Sequence, residues 1–189
     1  MTNQLIEIRW HGRGGQGAVT SAELVAQAAI SEGKFGQAFP AFGPERRGAP
    51  VMSFVRISNQ RIRIRAEIIQ PDIVVVLDPS LITVANVASG LKPEGTLIIN
   101  TTKTPDQIKG EFGFNFRIAT IDATGIAKEI LGVPITNTTM VGALIKANNV
   151  VRMESMIEPL NQRFGRIAEK NLNAMKKSYE LTTVKEKQS

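Results

Sequence analysis

Residues 5–33 read LIEIRWHGRGGQGAVTSAELVAQAAISEG, an apolar run, then glycines, then alanines, and this order decides the fold. Leu5, Ile6, Ile8 and Trp10 predict a first strand, apolar enough to be covered on both faces. Gly12-Arg13-Gly14-Gly15-Gln16-Gly17 follows at once and matches G-x-G-x-x-G, with a strand before it and a helix after it. From Ala18 onward alanine and leucine recur at helical spacing until Gly33 stops the helix. Glycines let the backbone turn tightly and let a phosphate approach without meeting a Cβ. The helix N-terminus adds free N–H donors and positive potential, and Arg13 adds a charge. A dinucleotide site also needs an acidic residue about 20 residues on, at the end of a second strand. Glu32 has about that spacing but closes the helix, and a proline-rich stretch follows it. Three readings stay open: a phosphate-bearing ligand, NAD or FAD, or a turn that only packs helix on sheet. His11 borders the turn and takes either a local hydrogen bond or a ligand contact.

Downstream, FGQAFPAFGPERRGAP over 35–50 carries prolines at 40, 44 and 50 and glycines at 36, 43 and 48, which predicts an irregular loop. Arg46 and Arg47 bring two guanidiniums to it, suited to phosphate or carboxylate. Phe39 and Phe42 suit an interface, or the domain's own edge. Val51–Ile57 and Arg61–Ala66 predict a hairpin turning at Ser58-Asn59-Gln60. Its second strand alternates Arg61, Arg63 and Arg65 with Ile62, Ile64 and Ala66. That basic face is either a solvated edge or a dock for an acidic partner.

IVVVL (73–77) predicts a buried strand, with Ser80 capping a helix over 81–90. Strands follow at 95–100 and 116–121, and Asp122 opens a helix through Leu131. Alternating strands and helices over 71–131 predict a parallel sheet with right-handed crossovers. VPITNTT (133–139) reads as a loop, with Asn137 and Thr138 as helix caps or, less favoured, ligand contacts; Asn100-Thr101-Thr102 ends a strand in the same way. Helices are expected from 140 to 148, 153 to 164 and 166 to 179, then a polar, frayed tail over 181–189. The fold class is α/β: a Rossmann-like, mostly parallel sheet flanked by helices, with a β-hairpin inserted after the glycine turn and its helix. One domain over 1–180 accounts for the chain ahead of that tail.

The 189 residues include 23 Lys+Arg against 17 Asp+Glu, a net charge of +6, which favours anionic ligands or acidic partners. There is no cysteine, so this chain alone holds no disulfide, thiolate zinc site, cysteine nucleophile or iron–sulfur cluster. A single histidine excludes a multi-histidine metal site. The N-terminus lacks a signal peptide pattern, no apolar run approaches a membrane span, and no basic patch interleaved with aromatics marks nucleic acid. A cytoplasmic protein is expected.

Four segments together carry a resemblance: IRWHGRGGQGAVTSAELVAQAA, AFPAFGPERRGAPVMSFVRIS, PDIVVVLDPSL and ITNTTMVGAL, in order across most of residues 5–145. The chain resembles the gamma subunits of 2-oxoacid:ferredoxin oxidoreductases, specifically the pyruvate type. The resemblance implies a complex that decarboxylates a 2-oxoacid with thiamine diphosphate and Mg2+. Electrons pass through [4Fe–4S] clusters to ferredoxin, and the acyl group goes to coenzyme A. It implies that those cofactors sit in partner alpha, beta and delta subunits, and that the gamma chain is non-catalytic, supports the others and helps bind coenzyme A. On that reading Gly12, Arg13, Gly14, Gly15, Gln16, Gly17, Arg46, Arg47, Asn137 and Thr138 are the cofactor-binding candidates. Alternatives are the same family with another 2-oxoacid, or an independent nucleotide-binding protein. Apolar interfaces could also let the isolated chain form a homodimer.

Overall fold

The computed structural model describes residues 5–41 and 48–187. Its elements in chain order are β1 (Leu5–Arg13), α1 (Ala18–Ser31), β2 (Phe35–Pro40), β3 (Pro50–Ser58), β4 (Ile73–Val76), α2 (Leu81–Val84), β5 (Thr96–Asn100), α3 (Pro105–Phe112), β6 (Arg117–Ile121), α4 (Ala123–Leu131), α5 (Asn137–Asn148), α6 (Ile157–Phe164), α7 (Ala168–Leu181) and β7 (Thr183–Lys185). The seven strands form one sheet in the order β2-β3-β1-β4-β5-β6-β7. Its centre, β1-β4-β5-β6, is parallel. Antiparallel strands flank it, β3 and β2 on one side and β7 on the other.

The sheet is buried on both faces because its strands carry apolar residues in both registers. Ile8, Trp10, Val75, Ile98 and Ala119 face one core, which α1, α4, α5, α6 and α7 cover. Val74, Val76, Leu97, Ile99 and Ile118 face a smaller core closed by Leu81, Ile82 and Ile108. β1 changes character between the two faces. Its other register is polar, and Arg9 and His11 are buried in it.

Five details depart from the expectations. The expected hairpin exists, but β2 and β3 form it, pairing Phe35 with Ser58 through Pro40 with Ser53. Residues 61–66 form no strand. Prolines and glycines masked β2. Pro40 falls at the end of an edge strand, where a missing N–H costs no ladder bond. Gly36 is needed there because a Cβ would lie 2.5 Å from the Ala26 carbonyl oxygen of α1. Second, the helix expected over 81–90 ends at Val84. Ser80 makes no side-chain cap; its hydroxyl donates to Asp78 Oδ1 instead (2.6 Å). Third, Asn137 and Thr138 belong to the first turn of α5 rather than to a loop. Fourth, the tail is not frayed throughout, since Thr183–Lys185 pair with β6. Fifth, α3 went unread although Thr104 and Gln107 form a capping box with Pro105 at the first helical position. Among the described residues, no helix is long and apolar enough to cross a membrane.

Candidate functional site

β1 extends through Gly12 and Arg13, which pair with Val51 and Pro50 of β3, so the first half of the glycine motif is strand. The turn proper is Gly14–Gly17. It is held from three sides. Gly14 donates its N–H to the Ala49 carbonyl (2.9 Å) and accepts from the Gly48 N–H (3.1 Å). The Gln16 amide oxygen accepts from the Arg13 N–H (2.7 Å). Gln16 Nε2 donates to Asp78 Oδ2 (3.1 Å), at the C-terminal end of the neighbouring parallel strand.

Arg13 is committed within the chain. Its Nε donates to Asp78 Oδ2 (3.0 Å), Nη1 to the Gly48 carbonyl (3.0 Å) and Nη2 to Ser80 Oγ (2.8 Å). Burial alone would raise the Asp78 pKa. The Ser80 hydroxyl and N–H, the Gln16 amide and the Arg13 charge outweigh it and hold the carboxyl below its usual value. Asp78 and Ser80 therefore organise the turn. The sequence pattern points to Ser80 only as a helix cap; the signal for Asp78 is an acidic residue just past the C-terminal end of a strand parallel to β1.

Gly15 (φ +96°) and Gly17 (φ +80°) take left-handed conformations that favour glycine. Space around Gly15 is open, with no heavy atom within 4 Å of where a Cβ would stand. At Gly17 a Cβ would stand 2.6 Å from Asn137 Nδ2. Ser21 Oγ bonds both the Gly17 carbonyl (3.2 Å) and the Asn137 carbonyl (3.1 Å). The first turns of α1 and α5 thus meet at the glycine turn. Helix α1 has no side-chain cap and no acidic residue in its first turn. Its N–H donors and positive end face no competing carboxylate from its own first turn, the condition an anion needs there.

The predicted set is only partly assembled. Gly12–Gly17 and Asn137 come together. Thr138 does not join them: it is fully buried and donates its hydroxyl to Asn171 Oδ1 (2.8 Å) between α5 and α7. The N-cap of α5 is Thr136, which makes no side-chain cap bond, while Asn137 Oδ1 accepts from the first-turn N–H of Thr138 (2.8 Å). Arg46, Arg47 and Phe42 lie outside the described residues. Phe39 packs on Phe54 of its own sheet, with ring centroids 5.2 Å apart. Asn100 bonds the Leu77 carbonyl and Thr124, and so ties β4, β5 and α4 together. Glu32, the candidate ribose acid, is engaged with Lys34 (2.9 Å) and the Arg152 N–H (2.6 Å).

His11 is 3% exposed, and its Nε2 accepts from Arg9 Nε (3.0 Å). Burial, then the Arg9 charge, pushes its pKa down to about 3, so the imidazole stays neutral. A second concavity of about 630 Å³ lies at the C-terminal ends of β5 and β6, lined by Thr101, Thr102, Thr120 and Asp122 among others. Among the described residues no cluster of three or more histidine, aspartate or glutamate side chains could hold a metal ion.

A family model described as pyruvate ferredoxin/flavodoxin oxidoreductase matches residues 7–181. The chain is 52% identical over 182 residues to the pyruvate/ketoisovalerate oxidoreductases common subunit gamma of Pyrococcus furiosus, covering 95% of this chain and 98% of that one. It is 49% identical to pyruvate synthase subunit PorC of Methanocaldococcus jannaschii, covering 93% and 96%. The crystal structure of the pyruvate oxidoreductase subunit PORC of Thermotoga maritima superposes with a TM-score of 0.87 at 36% identity, covering 97% of this chain and 99% of that one. About half of all positions agree along nearly full length and the same fold is solved for a relative, so the chain belongs to the pyruvate ferredoxin/flavodoxin oxidoreductase family.

Proposed function

We propose that this chain is the gamma subunit of a multi-subunit, cytoplasmic pyruvate:ferredoxin oxidoreductase and contributes part of the coenzyme A site. The complex converts pyruvate and coenzyme A to acetyl-coenzyme A and CO2, passing electrons to ferredoxin. Alpha, beta and delta subunits hold the thiamine diphosphate, Mg2+ and [4Fe–4S] clusters. The absence of cysteine in this chain agrees with that division of labour.

The observation that carries the coenzyme A assignment is the uncapped start of α1 beneath an open glycine turn. A phosphate seated at Gly15–Gly17 takes backbone N–H bonds and the positive end of the helix. Asn137 forms the wall beside Gly17. Arg13, tied to Asp78, Ser80 and Gly48, acts as a positioning residue that holds the turn. Arg46 and Arg47 supply the neutralising charge on this reading. Coenzyme A itself brings the thiol that accepts the acyl group.

The test is a coenzyme A titration of the anaerobic complex carrying Arg13→Ala or Arg47→Ala. Each variant is expected to weaken binding about tenfold, Arg47→Ala through one lost charge-assisted hydrogen bond and Arg13→Ala through loss of the contacts that hold the turn. Unchanged affinity in both would leave this chain as a structural support only.

A second reading follows from the relatives' names. In Pyrococcus furiosus one gamma subunit is common to a pyruvate and a ketoisovalerate enzyme. A gamma chain that serves a branched-chain 2-oxoacid as well would do so because substrate choice lies with the thiamine site in partner subunits. Profiling the purified complex with both 2-oxoacids decides between them.

A further inference from the structure

Residues 59–72 link β3 to β4 and contain Arg61, Ile62, Arg63, Ile64 and Arg65, a run the coenzyme A site does not use. Among the described residues, 61–65 take no part in any strand, helix or turn bond, and none of the three arginines has an ion pair or side-chain hydrogen bond. All three arginines are exposed. They converge instead: Arg61, Ile62, Arg63 and Arg65 line one concavity of about 360 Å³. The three arginine side chains and that of Ile62 therefore border one shallow hollow. The run also carries apolar surface. Ile64 is 49% exposed, and Ile69, further along the same link, is 76% exposed.

These features select the kind of partner. Three like charges set against the single carboxylate of Glu67, two residues on, repel one another and leave a net positive potential. Backbone without ladder partners is free to pair with a segment of another chain. Exposed isoleucines gain nothing from a sugar-phosphate backbone but are buried by a protein. The arginines of the sheet strands, by contrast, are anchored: Arg9 by carbonyls, Arg56 by Glu7, Arg13 and Arg117 by carboxylates. The run at 61–65 stands apart from these.

We propose that residues 61–65 dock an extended acidic segment of a companion subunit, with carboxylates in the arginine-lined hollow and apolar side chains against Ile64 and Ile69. The proposal rests on the reading of this chain as a subunit of a larger enzyme. It is separate from the glycine turn.

The test is co-expression with the companion subunits and recovery through a tag on one of them. Wild-type chain must be recovered; if it is not, the subunit reading itself fails. The variant Arg61→Glu/Arg63→Glu/Arg65→Glu is expected to fall at least tenfold in recovery. The same chain purified alone should keep its wild-type thermal midpoint, which excludes misfolding as the cause. Arg61→Lys/Arg63→Lys/Arg65→Lys should be recovered and should cross-link through its lysines to Asp or Glu of a companion with a zero-length carbodiimide. Wild-type recovery of the charge-reversed chain overturns the proposal. So does unchanged assembly combined with weakened coenzyme A binding, since the hollow would then be a small-anion site.

Discussion

In β1, Arg9 and Arg13 alternate with Ile8 and Trp10; in the link at 61–65, Arg61, Arg63 and Arg65 alternate with Ile62 and Ile64. The first run lies inside a seven-stranded sheet, and Ile8 and Trp10 are fully buried. Its Arg9 is 7% exposed and donates to His11 Nε2, to the Val87 carbonyl (3.0 Å) and to the Ser89 carbonyl (2.5 Å). The second run lies outside the sheet, and its arginines have no hydrogen bond or ion pair among the described residues. Alternation sorts side chains into two faces but does not decide whether neighbouring strands arrive to cover them. β1 has β3 on one side and β4 on the other; residues 61–65 have neither. Burying an arginine calls for a carboxylate or carbonyl acceptor beside it, because an unpaired buried charge costs several kcal/mol.

The sharpest way to break this comparison is to cut an anchor in the buried group. Arg56 of β3 is 2% exposed, pairs with Glu7 Oε1 at 2.8 Å, and its guanidinium carbon lies 5.4 Å from the Phe39 ring centre. Arg56→Ala leaves Glu7 without that partner and opens space beside Phe39. It should destabilise the chain by about 3 kcal/mol, the loss typical of one partner of a buried pair. Urea unfolding reads it directly; a loss under about 0.5 kcal/mol, the size of a surface change, would show the pair to be dispensable.

His11 gives the next effect. Its folded pKa, about 3, lies below the ordinary 6.5, so the unfolded chain binds a proton first as pH falls. The stability from keeping it neutral is complete above pH 6.5 and declines as pH falls toward 3. Between pH 6.5 and 5 the decline should reach about 2 kcal/mol, at about 1.4 kcal/mol per pH unit. His11 is the chain's one histidine, so His11→Gln should flatten the profile in that window. A wild-type curve already flat from pH 7 to 5 would show that the imidazole is not held neutral.

The smallest effect sharpens the other side. Arg61→Ala/Arg63→Ala/Arg65→Ala should change the stability of the isolated chain by less than about 0.5 kcal/mol, as exposed residues without partners do. A loss above about 1.5 kcal/mol would mean that these arginines hold the fold together rather than await a partner.

Strand–glycine–helix at 5–33, the buried run at 73–76 and the alternation through Leu131 were legible because each depends on local chemistry: apolar periodicity, glycine conformational freedom and capping residues. The glycine turn was found for the same reason. Its partners were not. Asp78 reaches Arg13 across 65 residues of chain, and Asn137 stands against Gly17 at a separation of 120. No local pattern encodes such meetings.

The sequence by itself determined a glycine-turned α/β chain, its lack of thiol ligands, and the family to which its motifs point. Only the tertiary structure decided which strand pairs with β3, that Arg13 closes on Asp78, that Thr138 turns into the core, and that one arginine run is buried while another is bare. Those outcomes depend on which distant segments bring acceptors, carboxylates or ladder partners to a given face. That is set by packing the whole chain, not by the residues on either side.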